Sequence, residues 1–192
     1  MQQIKALARL TLTDPRAAGA ALLTAVPVRD VLLQMAVVVV VVGVILTWIA
    51  TALFPAPQNP MISDLMANPV LFAIIQLMML MLSVFAIFLI GRLFGGIGSF
   101  EQTLYLSVWV QFYMLLIQAA LIPVTLVVGA LPLTLNLGLY FYFVWLMVNF
   151  IAVLHGFKSL WKVFAGLIAA SFALSFVVLF LLGVIGIGVE GA

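Results

Sequence analysis

The chain has no cysteine, which excludes disulfides, thiolate nucleophiles and thiolate metal sites. It has a single histidine, His155, and no HExxH-type pair or convergent carboxylates, so no metal or other cofactor is expected. Charge is scarce too, at 6% of 192 residues, where a soluble domain carries about a quarter. With 68% hydrophobic residues and a mean hydropathy of +1.43, no water-soluble core could hide the apolar surface. The few basic residues give a net charge of only +2 and are spread along the chain, which argues against a nucleic-acid partner. Nucleophile patterns are missing as well: there is no GxSxG, no Ser-Lys pairing at helical spacing and no glutamate pair, so the chain is not expected to be an enzyme.

What is present is a series of long apolar runs. The expected fold is all-α, a polytopic membrane bundle of five transmembrane helices at about 31–54, 70–90, 103–122, 137–154 and 163–189. The run PAPQNP closes the first span. Pro123 is expected to end or kink the third. Basic residues orient the set, since Lys and Arg are retained on the cytoplasmic side. Lys5, Arg9, Arg16 and Arg29 precede the first span, Arg92 follows the second, and Lys158 and Lys162 separate the last two. Five spans with the N-terminus inside and the C-terminus outside place all seven on one side.

Residues 1–30 form a cytoplasmic amphipathic segment ahead of a transmembrane domain at 31–192. Asp14-Pro15 reads as an N-cap followed by proline at the first helical position. With Ile4, Leu7 and Leu10 interleaved among Lys5 and Arg9, the segment is expected to lie on the inner leaflet.

No ionisable group sits near the middle of a span, which counts against a proton pump or proton-coupled carrier. The intramembrane polar groups are amides and hydroxyls, chiefly Gln76, Ser107, Gln111, Gln118 and Asn149. Ser107, Gln111 and Gln118 share one face of the third span, where interhelical hydrogen bonding is the first reading and a substrate or headgroup groove the second. Gly166, Ala170 and Ala173 offer small residues for close helix packing in the fifth span. His155 is expected to cap the inner end of the fourth span or to contact a headgroup.

The run GGIGS lacks the lysine and the strand of a phosphate-binding loop, and reads as a glycine turn between the second and third spans, with Ser99 capping the third. That turn, RLFGGIGSFEQTL at 92–104, resembles the glycine-glycine-x-glycine-serine-phenylalanine turn of the bacterial Yip1-domain family. The Asp14-Pro15 helix start, the proline-rich outer loop, the five spans and a His-Gly turn before the fifth span are similar to that family's pattern. The resemblance implies a small polytopic membrane protein. Its eukaryotic relatives act in early secretory traffic, binding Rab-type GTPases and one another through a long N-terminal region, whereas about 30 residues precede the first span here.

The expected function is a non-enzymatic membrane scaffold or adaptor that binds another membrane protein or itself, with membrane lipids as its surroundings. The candidate interaction turn is Gly95, Gly96, Gly98, Ser99, Phe100 and Glu101. Passive permeation of a lipid or small molecule along a neutral polar groove is the alternative. Few lysines with abundant Ala and Val suggest a bacterial source, and with it the cytoplasmic membrane.

Overall fold

The computed structural model describes residues 2–55, 60–129 and 133–184, and all of its regular structure there is helical. In chain order these are α1 (Gln2–Thr13), α2 (Pro15–Leu23), α3 (Arg29–Leu53), α4 (Pro60–Ala67), α5 (Pro69–Leu93), α6 (Phe100–Val128), α7 (Leu133–His155) and α8 (Leu160–Val184). Of the described helices, α3, α5, α6 and α7 are long and apolar enough to cross a membrane, and α8 is apolar over Leu160–Phe172. The expected fifth span runs on past 184, outside the described residues.

Local chemistry sets the helix starts. The Asp14 carboxylate accepts from the Ala17 N–H at 3.0 Å with Pro15 at the first position of α2, and the Asn68 side chain accepts from the Leu71 N–H at 3.1 Å with Pro69 opening α5. Ser99 closes a reciprocal box: its Oγ accepts from the Gln102 N–H at 3.2 Å, and its own N–H donates to Gln102 Oε1 at 2.9 Å. Two boundaries differ from expectation. The outer loop holds the short helix α4, and α6 continues through Pro123 to Val128, where Gly129 at φ +87° stops it. A proline inside a long apolar helix is tolerated when its neighbours re-satisfy the freed carbonyl, so Pro123 does not act as the terminus.

Helix α6 is central because two of its faces are buried at once. Leu106, Trp109, Val110 and Tyr113 pack with Ala18 and Leu22 of α2 and with Leu146, Phe150 and Leu154 of α7. Leu104, Val108 and Leu115 pack with Leu32, Ala36 and Val39 of α3 and with Val84 of α5. A third, smaller cluster joins Val148 and Ala152 of α7 to Val163 of α8.

The N-terminal helices pack onto this bundle: Leu7, Ala8 and Leu10 of α1 and Ala18 and Leu22 of α2 lie in one cluster with α6 and α7. Gly19 lets α2 press on α7, since a Cβ there would stand 3.1 Å from the Phe150 ring. Thr11, fully buried, accepts a hydrogen bond from Trp109 Nε1 at 3.1 Å while its hydroxyl donates to the Leu7 carbonyl at 2.8 Å. The Tyr142 hydroxyl meets the Tyr113 hydroxyl at 3.2 Å and the Thr11 carbonyl at 3.5 Å. Buried Trp and Tyr require partners for their polar ends, and the end of α1 supplies them.

The Thr11→Val variant keeps the shape but removes the acceptor of the indole N–H, stranding a buried donor at about 1 to 3 kcal/mol. We expect a lower thermal midpoint in detergent by intrinsic fluorescence, with Leu12→Ala, at an exposed neighbour, close to wild type.

Candidate functional site: the glycine turn against His155

The end of α5, the start of α6 and the end of α7 meet at one end of the bundle, called here the turn end. Two helix terminations stand side by side there. Helix α5 ends with Gly95 at φ +82°, its N–H donating to the Arg92 carbonyl at 3.0 Å and the Gly96 N–H donating to the Gly91 carbonyl at 2.8 Å. Helix α7 ends in the same manner: Gly156 lies at φ +72°, its N–H reaches the Val153 carbonyl at 3.3 Å, and the Phe157 N–H reaches the Ala152 carbonyl at 2.8 Å. Left-handed residues of this kind satisfy carbonyls that a helix end would otherwise leave open, and glycine adopts them without the Cβ penalty.

His155 is the knob between the two terminations. Its side chain is 2% exposed and its ring stacks on Phe157 at 5.5 Å between centroids. A Cβ at Gly91 would coincide with the imidazole, one at Gly96 would stand 2.6 Å from the His155 Cβ, and one at Gly98 would stand 2.8 Å from Leu154 Cγ. The Ile97 N–H completes the junction, donating to the His155 carbonyl at 3.4 Å. Glycine at 91, 96 and 98 is thus required by approach, and at 95 by backbone conformation, since nothing lies within 4 Å of a Cβ at Gly95.

Both ring nitrogens of His155 are buried without a hydrogen-bond partner. The Ile87 carbonyl and the Arg92 guanidinium act on the ring from α5, but the carbonyl does not reach hydrogen-bond geometry. His155 does not meet a headgroup directly, as had been one expectation, because the glycine turn covers it.

The remaining turn residues take structural places. Ser99 holds the capping box, Phe100 packs edge-on against Phe88 with centroids 6.1 Å apart, and half-buried Glu101 lies in the first turn of α6, where a negative charge favours the helix dipole. The outer surface is apolar: Leu93, Phe94 and Ile97 are between 72% and 83% exposed.

The polar groups expected to join helices behave otherwise. Asn149 is buried, but its Nδ2 donates to the Trp145 carbonyl of its own helix at 2.8 Å. Gln76, Ser107, Gln111 and Gln118 are half-buried, and among the described residues they make no hydrogen bond between helices. Ser107 lines a crevice of about 10 Å³ with Ile87, Thr103, Met147, Phe150 and Leu154, room for about one water molecule. A methyl group added at Gly166 would meet no atom within 4 Å and Ala170 is half-buried, while the side chain of Ala173 lies outside the described residues. Among the described residues no three His, Cys, Asp or Glu side chains come together as a metal site. Residues that the sequence reading passed over are Gly91, Thr11, Trp109, Tyr113 and Tyr142. The buried aromatics could have been flagged as polar ends in need of partners.

The long apolar helices and their packing define an integral, polytopic helical membrane protein. The Yip1 domain family model matches residues 9–182, nearly the whole chain, and the chain belongs to that family. The match takes in α2 as well as the glycine turn and His155. Comparison with curated proteins and with solved structures gave no match.

Gly91→Ala is expected to cost about 1 to 3 kcal/mol by overpacking against the ring, and Gly95→Ala about 1 to 2 kcal/mol by backbone strain alone. Adding His155→Ala, which removes every ring atom that a Cβ at Gly91 would meet, should restore much of the thermal midpoint lost in Gly91→Ala and none of that lost in Gly95→Ala. Equal restoration of both would mean that the imidazole is not what the cradle fits.

Proposed function

We propose that this chain is a non-enzymatic membrane scaffold or adaptor, five-spanning with its N-terminus on the cytoplasmic side of a bacterial cytoplasmic membrane, which binds another membrane protein or a second copy of itself. The observation that carries this reading is the turn end. There an apolar surface of Leu93, Phe94 and Ile97 is presented on a turn that His155 and three close-packed glycines hold in one conformation. A surface that is ordered before contact loses less conformational entropy on binding than a loose one. The open position beside Gly166 on α8 supports a second point of helix approach. All seven basic residues falling on one side supports the orientation. The adaptor reading is favoured over passive permeation because the crevice beside Ser107, within the bundle, has room for about one water, while the larger hollow of about 370 Å³ lies between the end of α3 and α4.

Purification of the tagged chain in a lipid-retaining polymer, followed by mass spectrometry, is the direct test. A protein recovered in near-equal amount, or a doubled mass of the chain itself, is expected, and either should be lost in Phe94→Ser/Ile97→Ser while the thermal midpoint stays near wild type. Recovery of a single copy with lipid alone would overturn the adaptor reading.

A further inference from the structure

The end of α1 joins the bundle away from the turn end, and α2 runs from there toward it, with Gly19 against Phe150 and Val153 near the end of α7. Trp109, whose indole meets Thr11, is nine residues into α6, and Tyr142, whose hydroxyl reaches the Thr11 carbonyl, is thirteen residues before the end of α7. At 1.5 Å per residue these positions are about 13 and 19 Å from the turn end. Helices α3, α5 and α6 have 25, 25 and 29 residues, hence lengths of about 37 to 43 Å. The hydrocarbon core is about 30 Å thick, so a centred bundle puts its near boundary about 4 to 7 Å from the turn end. Thr11 then stands roughly 6 to 15 Å beneath that boundary, and a tilt of about 20° changes this by less than a tenth.

Close to Thr11 in the chain are Arg9, Asp14 and Arg16, with Lys5 further along α1, and all four are exposed. Asp14 accepts the Ala17 N–H, and among the described residues none of the four makes an ion pair. Charged groups facing hydrocarbon near this depth are disfavoured, and the cost is relieved by long side chains reaching toward the interface, by local thinning and by water defects. Among the described residues, α3 on the other side of α6 has no charged group at this height. Leu32 packs with Leu104 and Gly43 meets Leu115, so α3 runs beside α6 in the same direction, and at the height of Trp109 it shows lipid the exposed Val37, Val38 and Val41.

We propose that the elbow between α1 and α2 thins the adjacent leaflet on one side of the bundle, drawing phospholipid headgroups and water down to Arg9, Asp14 and Arg16. Three basic side chains against one acidic make the lipid phosphate the preferred partner. The inference requires that the bundle spans the bilayer and is centred in it, and is independent of any protein partner at the turn end.

The absence of cysteine makes the test direct, since single substitutions can carry a nitroxide label. Thr13→Cys reports the elbow, Val38→Cys the opposite side at a similar height, and Phe94→Cys the turn end; all three positions are exposed. In vesicles of phosphatidylcholine with phosphatidylglycerol, collision with a water-soluble nickel chelate is compared with collision with oxygen. The label at Thr13 is expected to resemble that at Phe94, with nickel access several-fold above that at Val38. Arg9→Leu/Arg16→Leu added to the Thr13 label should lower nickel access several-fold, with an unchanged gel-filtration profile. A Thr13 label behaving like Val38 would overturn the proposal. So would equal nickel access at Val38, which would mean a bundle displaced as a whole, and so would access at Thr13 that is indifferent to loss of the two arginines.

Discussion

Within hydrocarbon no water takes up an unpaired peptide group, so the chain must form helices whose open ends are closed by the protein or brought to the bilayer surface. The terminations bear this out. Side-chain caps at Asp14, Asn68 and Ser99 start helices, and left-handed glycines at 95, 129 and 156 end them. At the turn end the same requirement has a second effect. Because both terminations are built from backbone and glycine, the α5–α6 turn can descend onto the end of α7 until a single methyl group would collide with His155. Capping, which satisfies carbonyls, thereby also creates the closest contact between segments far apart in sequence.

Apolar packing alone does not select one arrangement when lipid is as apolar as the helix surfaces. In this bundle the directional contacts come from aromatic side chains with polar ends. Trp109, Tyr113 and Tyr142 converge with Thr11, and they fix how the N-terminal helices sit on α6 and α7. Asn149 serves its own helix, Gln111 and Gln118 stand half-buried between the apolar faces of α6, and Gln76 is half-buried on α5. The histidine takes the opposite solution to the tyrosines. Its ring is buried with both nitrogens unpartnered, and the turn is held over it by shape and by one backbone hydrogen bond, from the Ile97 N–H to the His155 carbonyl.

Two surfaces of this architecture differ in character. At the turn end a fixed backbone carries exposed Leu93, Phe94 and Ile97, a surface suited to another apolar surface. At the elbow, exposed charges stand on a stretch tied into the bundle, a surface suited to water and phosphate. Membership of the Yip1 family covers both, since the matched region includes α2, the glycine turn and the last described helix.

Much of the fold was legible in the sequence because hydrocarbon enforces simple rules. A run of about 20 apolar residues becomes a membrane helix whatever it packs against, and Asp14-Pro15 and Ser99 act through atoms three residues away. The continuation of α6 through Pro123 was not legible, because the cost of a lost donor depends on what surrounds the freed carbonyl. Nor were the partners of the polar residues. Sequence spacing placed Ser107, Gln111 and Gln118 on one face, but whether a face meets another polar group is decided by the neighbouring helix. The sequence by itself thus determined a helical membrane protein with a glycine turn of a recognisable family. Only the tertiary structure decided that Gly91 and Gly96 enclose His155, and that Thr11 is carried into the bundle to meet Trp109, because those contacts join residues with no periodicity or spacing between them.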